Sequence, residues 1–139
     1  LQFLNIRKDK QMQMQQCNPS GKIYPATSDY VHAMKINGLN SILFVSGTMG
    51  LRLDGVPGAD IDEQLVLVWK NIKAILADAG MSINNVVRTT SYLRDPAYTH
   101  ANQEARVKAL NGRVVPTTTI VAQTLSAGWL VEIEVIACV

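Results

Sequence analysis

The last eleven residues, Trp129 to Val139 (WLVEIEVIACV), constrain the fold more than any other stretch of this chain. Side chains along a strand alternate between its two faces. Trp129, Val131, Ile133, Val135 and Ala137 therefore share one face, and Leu130, Glu132, Glu134, Ile136 and Cys138 share the other. The first set is uniformly apolar and belongs under a layer of helices. The second set places two carboxylates on a face that those helices do not cover. Such carboxylates need partners, because burial without one raises a carboxyl pKa. Alternation leaves two uses open for them. One is ion pairing or hydrogen bonding across a subunit boundary; the other is catalysis or ligand binding.

The helices that cover the apolar face can be found upstream. Leu65, Val68, Trp69, Ile72, Ile75, Leu76 and Ala79 recur at helical spacing. Asp60 stands as the cap, Glu63 follows three residues on as in a capping box, and Gly80 ends the helix where a left-handed residue is favoured. A second helix opens at Asp95-Pro96, with Asp95 as cap and Pro96 in the first turn, and runs through Ala101, Ala105, Val107 and Leu110 to Asn111-Gly112. Tyr30–Ile36 and Ser41–Gly47 are β-prone. Asn37-Gly38 between them signals a hairpin, with either a two-residue turn or the four-residue loop NGLN. Residues 47–60 carry four glycines and a proline and read as a loop. Asn85–Leu93 reads as a strand, as do Thr117–Gln123 and the terminal run.

The predicted order is β-β-α-β-α-β-β, an α+β domain over residues 28–139 with both helices on one face of a single mixed sheet. A chain of 139 residues fits one domain and has no further element to cover the other face. Packing against identical copies would bury it. Residues 1–27 (within them KDKQMQMQQCNPSGK) are rich in polar groups and read as a loosely ordered N-terminal arm.

Composition excludes several classes. The net charge of +2 is too small, and the basic residues apart from Arg7-Lys8-Asp9-Lys10 too dispersed, for nucleic-acid or membrane binding. No stretch reaches the length of about 18 apolar residues that spans a bilayer. His32 and His100 are isolated, so no metal site is expected. SGTMG is glycine-rich but lacks the lysine and spacing of a phosphate cradle. Cys17 and Cys138 show no CxxC spacing and read as free thiols of a cytoplasmic protein; a bridge between them has no support in the pattern.

Taken together, ILFVSGTMG, DIDEQLVLVWKNIKAIL, AGMSINNVVRTTSYLRD, a proline-led threonine strand and WLVEIEVIA resemble the RidA/YjgF family over about residues 28–139. The resemblance implies a chorismate-mutase-like fold and a homotrimer with clefts between subunits. It further implies cofactor-free hydrolysis of 2-imino acids, or their enamine tautomers, to 2-keto acids and ammonia, with neither metal nor organic cofactor. Glu132 matches the first glutamate of the family's E-I-E, placed to hold or activate the attacking water. Tyr30 matches a cleft tyrosine, although Ser28-Asp29 replace the usual Gly-Pro before it. Ser46 and Gly47 match the Ser-Gly after the second strand, and Asn102 matches a cleft asparagine of the second helix across small gaps.

One departure stands out. The family's deaminases carry an arginine two residues after the strand's proline, where it pairs with the substrate carboxylate; here that position is Thr118. A threonine hydroxyl offers one neutral donor and acceptor in place of a charged fork. Thr118 therefore implies a neutral, smaller or differently anchored ligand, with Ile120 lining the cleft floor. For Thr117–Thr119 simple β-propensity is the competing explanation. Arg52 and Arg113 are either substitutes for the lost charge or solvated surface residues. Three functions follow: an imine or enamine hydrolase built on Glu132, a non-catalytic small-molecule-binding trimer, and, against the weak charge, an RNase or translation inhibitor.

Overall fold

A computed structural model describes residues 11–139 of the chain. Its elements are β1 (Gln13–Cys17), β2 (Ala33–Asn37), β3 (Ile42–Met49), α1 (Ile61–Asp78), β4 (Val86–Leu93), α2 (Thr99–Ala109), β5 (Thr117–Val121) and β6 (Val131–Cys138). The strands β3, β6, β4 and β5 form a mixed sheet in that order, with β6 antiparallel to both neighbours and β4 parallel to β5. The expected helices and the strands 86–93, 117–121 and 131–138 are all present.

Two expectations are corrected. The predicted hairpin between β2 and β3 does not form: β2 pairs with β1 instead, from Gln13↔Asn37 to Cys17↔Ala33, as a separate two-stranded ribbon. The sheet is therefore not single among the described residues. Gly38 does turn the chain, with φ 71°, as its sequence context predicted. The N–H groups of Asn40 and Ser41 then bond the Val139 carbonyl, which steers β3 onto β6 rather than back along β2. The same ribbon corrects part of the arm expected over residues 1–27. Residues 13–17 are an ordered strand, and residues 1–10 lie outside the described residues. The polar run QMQQC hides this because its ladder is made by backbone groups, with Met14 opposite Ile36 and Gln16 opposite Met34.

α1 forms as its pattern dictates. Asp60 is extended at the N-cap and accepts from the Glu63 N–H at 2.9 Å. The Glu63 carboxylate bonds the N–H of Ala59, one residue earlier than a capping box would place it, at 2.7 Å. At the other end Gly80 adopts φ 69°, its N–H reaches the Ala77 carbonyl, and the Met81 N–H reaches the Leu76 carbonyl. That is the left-handed termination the glycine signals. Leu65, Val68, Trp69, Ile72 and Leu76 are buried, whereas Ile75 sits at the edge of the stripe and is exposed.

A single core joins these side chains to Val131, Ile133, Val135 and Ala137 of β6, Val45 of β3, Val86 and Leu93 of β4, and Ala109 of α2. The predicted apolar face of β6 thus lies against the helices. Trp129 precedes the strand and stands half-buried outside that core. Cys17 and Cys138 are unbridged.

Candidate functional site

The opposite face of the same sheet is open. Residues directly opposite in a ladder point the same way. Phe44 stands beside Ile136, Ile136 beside Arg88, Glu134 beside Thr90, Thr90 beside Thr118, Glu132 beside Tyr92, and Tyr92 beside Ile120. Phe44 is 70% exposed, and Ile42 and Ile120 are also exposed. This face mixes apolar side chains with two carboxylates, an arginine, a tyrosine and two threonine hydroxyls.

Two β-bulges shape it. Along β3 the register slips by one residue between Val45 and Thr48, at Ser46-Gly47. Along β4 it slips between Val86 and Arg88. A one-residue slip transfers every later side chain to the other face. The β4 bulge keeps Val86 in the core and still sends Arg88, Thr90 and Tyr92 outward. Without it, a β4 with Val86 under the helices would turn all three inward.

The β3 bulge brings Gly47 against Glu132. A Cβ at position 47 would lie 2.0 Å from Glu132 Oε1 and 2.9 Å from its Cδ. Only glycine leaves room for the carboxylate there. Gly47, Glu132, Tyr92, Glu134 and the segment Ala122–Leu125 line a hollow of about 260 Å³. Within it the Tyr92 hydroxyl donates to Glu134 Oε1 at 2.7 Å. That hydrogen bond, with burial and the nearby carboxylate charges adding to it, raises the Tyr92 pKa above the ordinary tyrosine value.

The wall of this hollow is held from behind. Arg94 Nη1 donates to Thr124 O at 3.0 Å, Thr124 Oγ1 at 2.8 Å and Ser126 O at 3.1 Å. The buried Gln64 bonds Gly128 O at 2.8 Å and accepts from the Leu130 N–H at 2.9 Å. The loop between β5 and β6 is therefore fixed to β4 and α1.

Tyr30 lies elsewhere. With Asp29, Gln103, Arg106, Thr117 and Thr119 it lines a second hollow of about 370 Å³. Arg106, almost fully buried, donates to both the carbonyl and the carboxylate of Asp29 at 2.7 Å. Burial works against the Asp29 charge, but hydrogen bonds from Thr27 and Arg106 outweigh it and hold its pKa below the usual value.

Of the predicted site residues, the structure unites Glu132 and Gly47 in one hollow and puts Thr118 and Ile120 on the same open face. Ser46 is exposed at the bulge, its carbonyl accepting from the Thr48 hydroxyl at 2.9 Å, and does not line the Glu132 hollow. Tyr30 belongs to the second hollow. Asn102 is buried at 2% exposure, one turn before Arg106 on α2, and lines neither of these two hollows. Arg52 and Arg113 do not reach the open face. Arg52 pairs with Glu63, and Arg113 donates to Ile83 O at 3.0 Å and Val86 O at 3.3 Å. The sequence reading missed Arg88 and Tyr92. The alternation Arg88-x-Thr90-x-Tyr92 was the available signal, masked by the apolar Val86-Val87 before it.

Among the described residues no cluster of His, Cys, Asp or Glu could hold a metal ion, and no helix is long and apolar enough to cross a membrane.

An α+β domain with two helices and a mixed sheet matches the solved structures of Rid-family proteins. The chain matches the family described as Endoribonuclease L-PSP over residues 21–139 and belongs to it, the same family that holds the RutC, YjgF and RidA proteins. It is 36% identical over 101 residues to the RutC family protein YjgH of Escherichia coli, covering 69% of this chain and 74% of that one. Its structure is similar to that of YyfB, of the conserved Rid family, from Yersinia pestis, with TM-score 0.78 and 27% identity over 91% of this chain and 98% of that one. RidA from an Antarctic Psychrobacter superimposes with TM-score 0.68 and 27% identity, over 90% of this chain and all of the other.

Proposed function

We propose that this protein is a cofactor-free hydrolase of an imine or enamine, working in a cleft that a second copy of the chain completes in a homotrimer. The observation that carries the reading is the Glu132 carboxylate lodged against Gly47 at a bulge, on a sheet face that the helices among the described residues do not cover. The exposed Ile42, Phe44 and Ile120 support assembly, since exposed apolar patches mark interaction surfaces. Two half-sites on one chain, one around Glu132 and one around Tyr30, support a composite cleft.

In this mechanism Glu132 orients a water against the C=N carbon and takes its proton as the C–O bond forms. The nitrogen accepts a proton as the C–N π bond becomes a lone pair. The carbinolamine then collapses, expelling ammonia and leaving a carbonyl. The net change is one imine and one water to one carbonyl compound and one ammonia. A placed carboxylate contributes about 10²–10⁴-fold to such proton transfer.

The test generates 2-imino acids with an amino-acid oxidase in the presence of semicarbazide, and follows semicarbazone formation. Turnover is expected from the wild type and a loss of about 10²–10⁴-fold from Glu132→Gln. Equal turnover by the two would sink the mechanism. Light scattering is expected to give a trimer at micromolar concentration; a monomer would remove the composite cleft.

A second reading, a binding trimer without catalysis, is favoured by Thr118 standing where the family's deaminases carry arginine. Tight ligand binding without turnover would support it. RNA cleavage, which the family's description suggests, fits less well, because a net charge of +2 offers little to neutralise a phosphate backbone.

A further inference from the structure

Five arginines stand among the described residues, and four are tied to protein acceptors by two or more hydrogen bonds. Arg52 bonds Pro57 and Glu63, Arg94 bonds Thr124 and Ser126, Arg106 bonds Asp29, and Arg113 bonds Ile83 and Val86. Arg88 is different. Its one side-chain hydrogen bond among the described residues runs from Nη2 to Thr118 Oγ1, at 3.1 Å. No carboxylate among them forms an ion pair with it. A guanidinium has five N–H donors in a fixed fork, so most of this one's donor capacity is unclaimed.

Its position is built rather than accidental. The β4 bulge turns Arg88 onto the open face while Val86 stays in the core. There it lines a hollow of about 180 Å³ with Phe44, Thr90, Glu134 and Ile136. Glu134 is the carboxylate that would otherwise claim it, and Glu134 accepts the Tyr92 hydroxyl instead. Bulges next to functional sites characteristically re-aim a side chain in this way.

We infer that Arg88 is the anion-binding residue of this face, taking the carboxylate of a small ligand, and that Thr118 is its positioning residue. The Thr118 hydroxyl accepts from one Nη and sets the plane of the fork, leaving a parallel pair of N–H groups for a bidentate contact. The charge therefore comes from β4, across the β4–β5 ladder, rather than from β5 itself. Thr118 then marks a carboxylate anchored from another strand, not a neutral ligand. The inference rests on the hydrolase reading only for the placement of the reacting carbon near Glu132.

The experiment titrates the full chain with 2-oxobutyrate and with its primary amide, followed by NMR. Wild type is expected to bind the acid about 10–100-fold more tightly than the amide, the range set by a charge-assisted hydrogen bond. Arg88→Gln is expected to lose that preference with amide binding unchanged, and Thr118→Val to lose part of it. In wild type the Arg88 Nε–H resonance is expected to move with the acid and stay still with the amide. That readout needs no variant to fold, and a purely structural arginine would not give it. Equal binding of acid and amide, a preserved preference in Arg88→Gln, or an unresponsive Arg88 Nε–H would each overturn the inference. An Arg88→Gln change that alters only the oligomeric state would assign the residue to contact between copies instead. Imine turnover alongside a preserved acid preference in Arg88→Gln sinks this inference and leaves the hydrolase standing. Acid binding through Arg88 without turnover does the reverse.

Discussion

The two faces of β6 are alternate residues of one eight-residue segment, and they obey different rules. Val131, Ile133, Val135 and Ala137 are all buried against the helices. Their neighbours Glu132 and Glu134 carry polar groups on the face that the helices do not cover. On the first face, identity matters through volume and transfer from water. On the second, it matters through where a carboxylate, a hydroxyl and a guanidinium are held relative to one another.

That contrast can be broken by matched substitutions. The largest effect is expected from Ile133→Ala, which opens a cavity in the core and costs about 2–5 kcal/mol in urea unfolding. Ile136→Ala, three residues along β6 and on the open face, is expected to cost clearly less in a chain measured as a monomer. Equal losses would mean that the open face is itself a packed core. Gly47→Ala comes next. The added Cβ would displace the Glu132 carboxylate, and a misplacement of about 1 Å at a reacting group costs about 10²-fold in turnover. Stability should change little by comparison. Unchanged imine turnover in Gly47→Ala would show that the carboxylate's seat is irrelevant to chemistry.

The smallest effect sharpens the polar side alone. Glu134→Gln replaces the charged acceptor of the Tyr92 hydroxyl, whose hydrogen bond is the main cause of the raised Tyr92 pKa, with a neutral and weaker one, so Tyr92 should ionise at lower pH than in wild type, read by ultraviolet absorbance. The sign follows from the phenolate, which the Glu134 carboxylate repels and a neutral amide does not. A titration that stays in place would deny the Tyr92–Glu134 bond any role in the electrostatics of this hollow.

Much of this arrangement was legible in the chain. Asp60, Gly80 and the spacing from Leu65 to Leu76 specify α1 because capping, left-handed termination and helical period are local. The alternation Val131-Glu132-Ile133-Glu134 predicts both faces of β6, since a pleated strand can do nothing else with it. Glu132 and Gly47 could each be named as site residues only through the family resemblance. Their contact depends on a bulge across a ladder between residues far apart in sequence.

What escaped the sequence has one physical cause. Register, pairing partner and side-chain reach are settled between segments, not within them. The Asn37-Gly38 turn is present, but β2 pairs with the upstream β1, and the Asn40 and Ser41 bonds to Val139 set β3 beside β6 instead. Asn102 is a cleft residue only by the family resemblance, and its burial on α2 is set by how that helix packs. Arg88 looks like a surface arginine in a strand until the β4 bulge turns it toward Thr118. The local periods and caps of this protein belong to its sequence. The tertiary structure decided which polar side chains meet, because a one-residue slip in a ladder reverses the direction of every side chain beyond it.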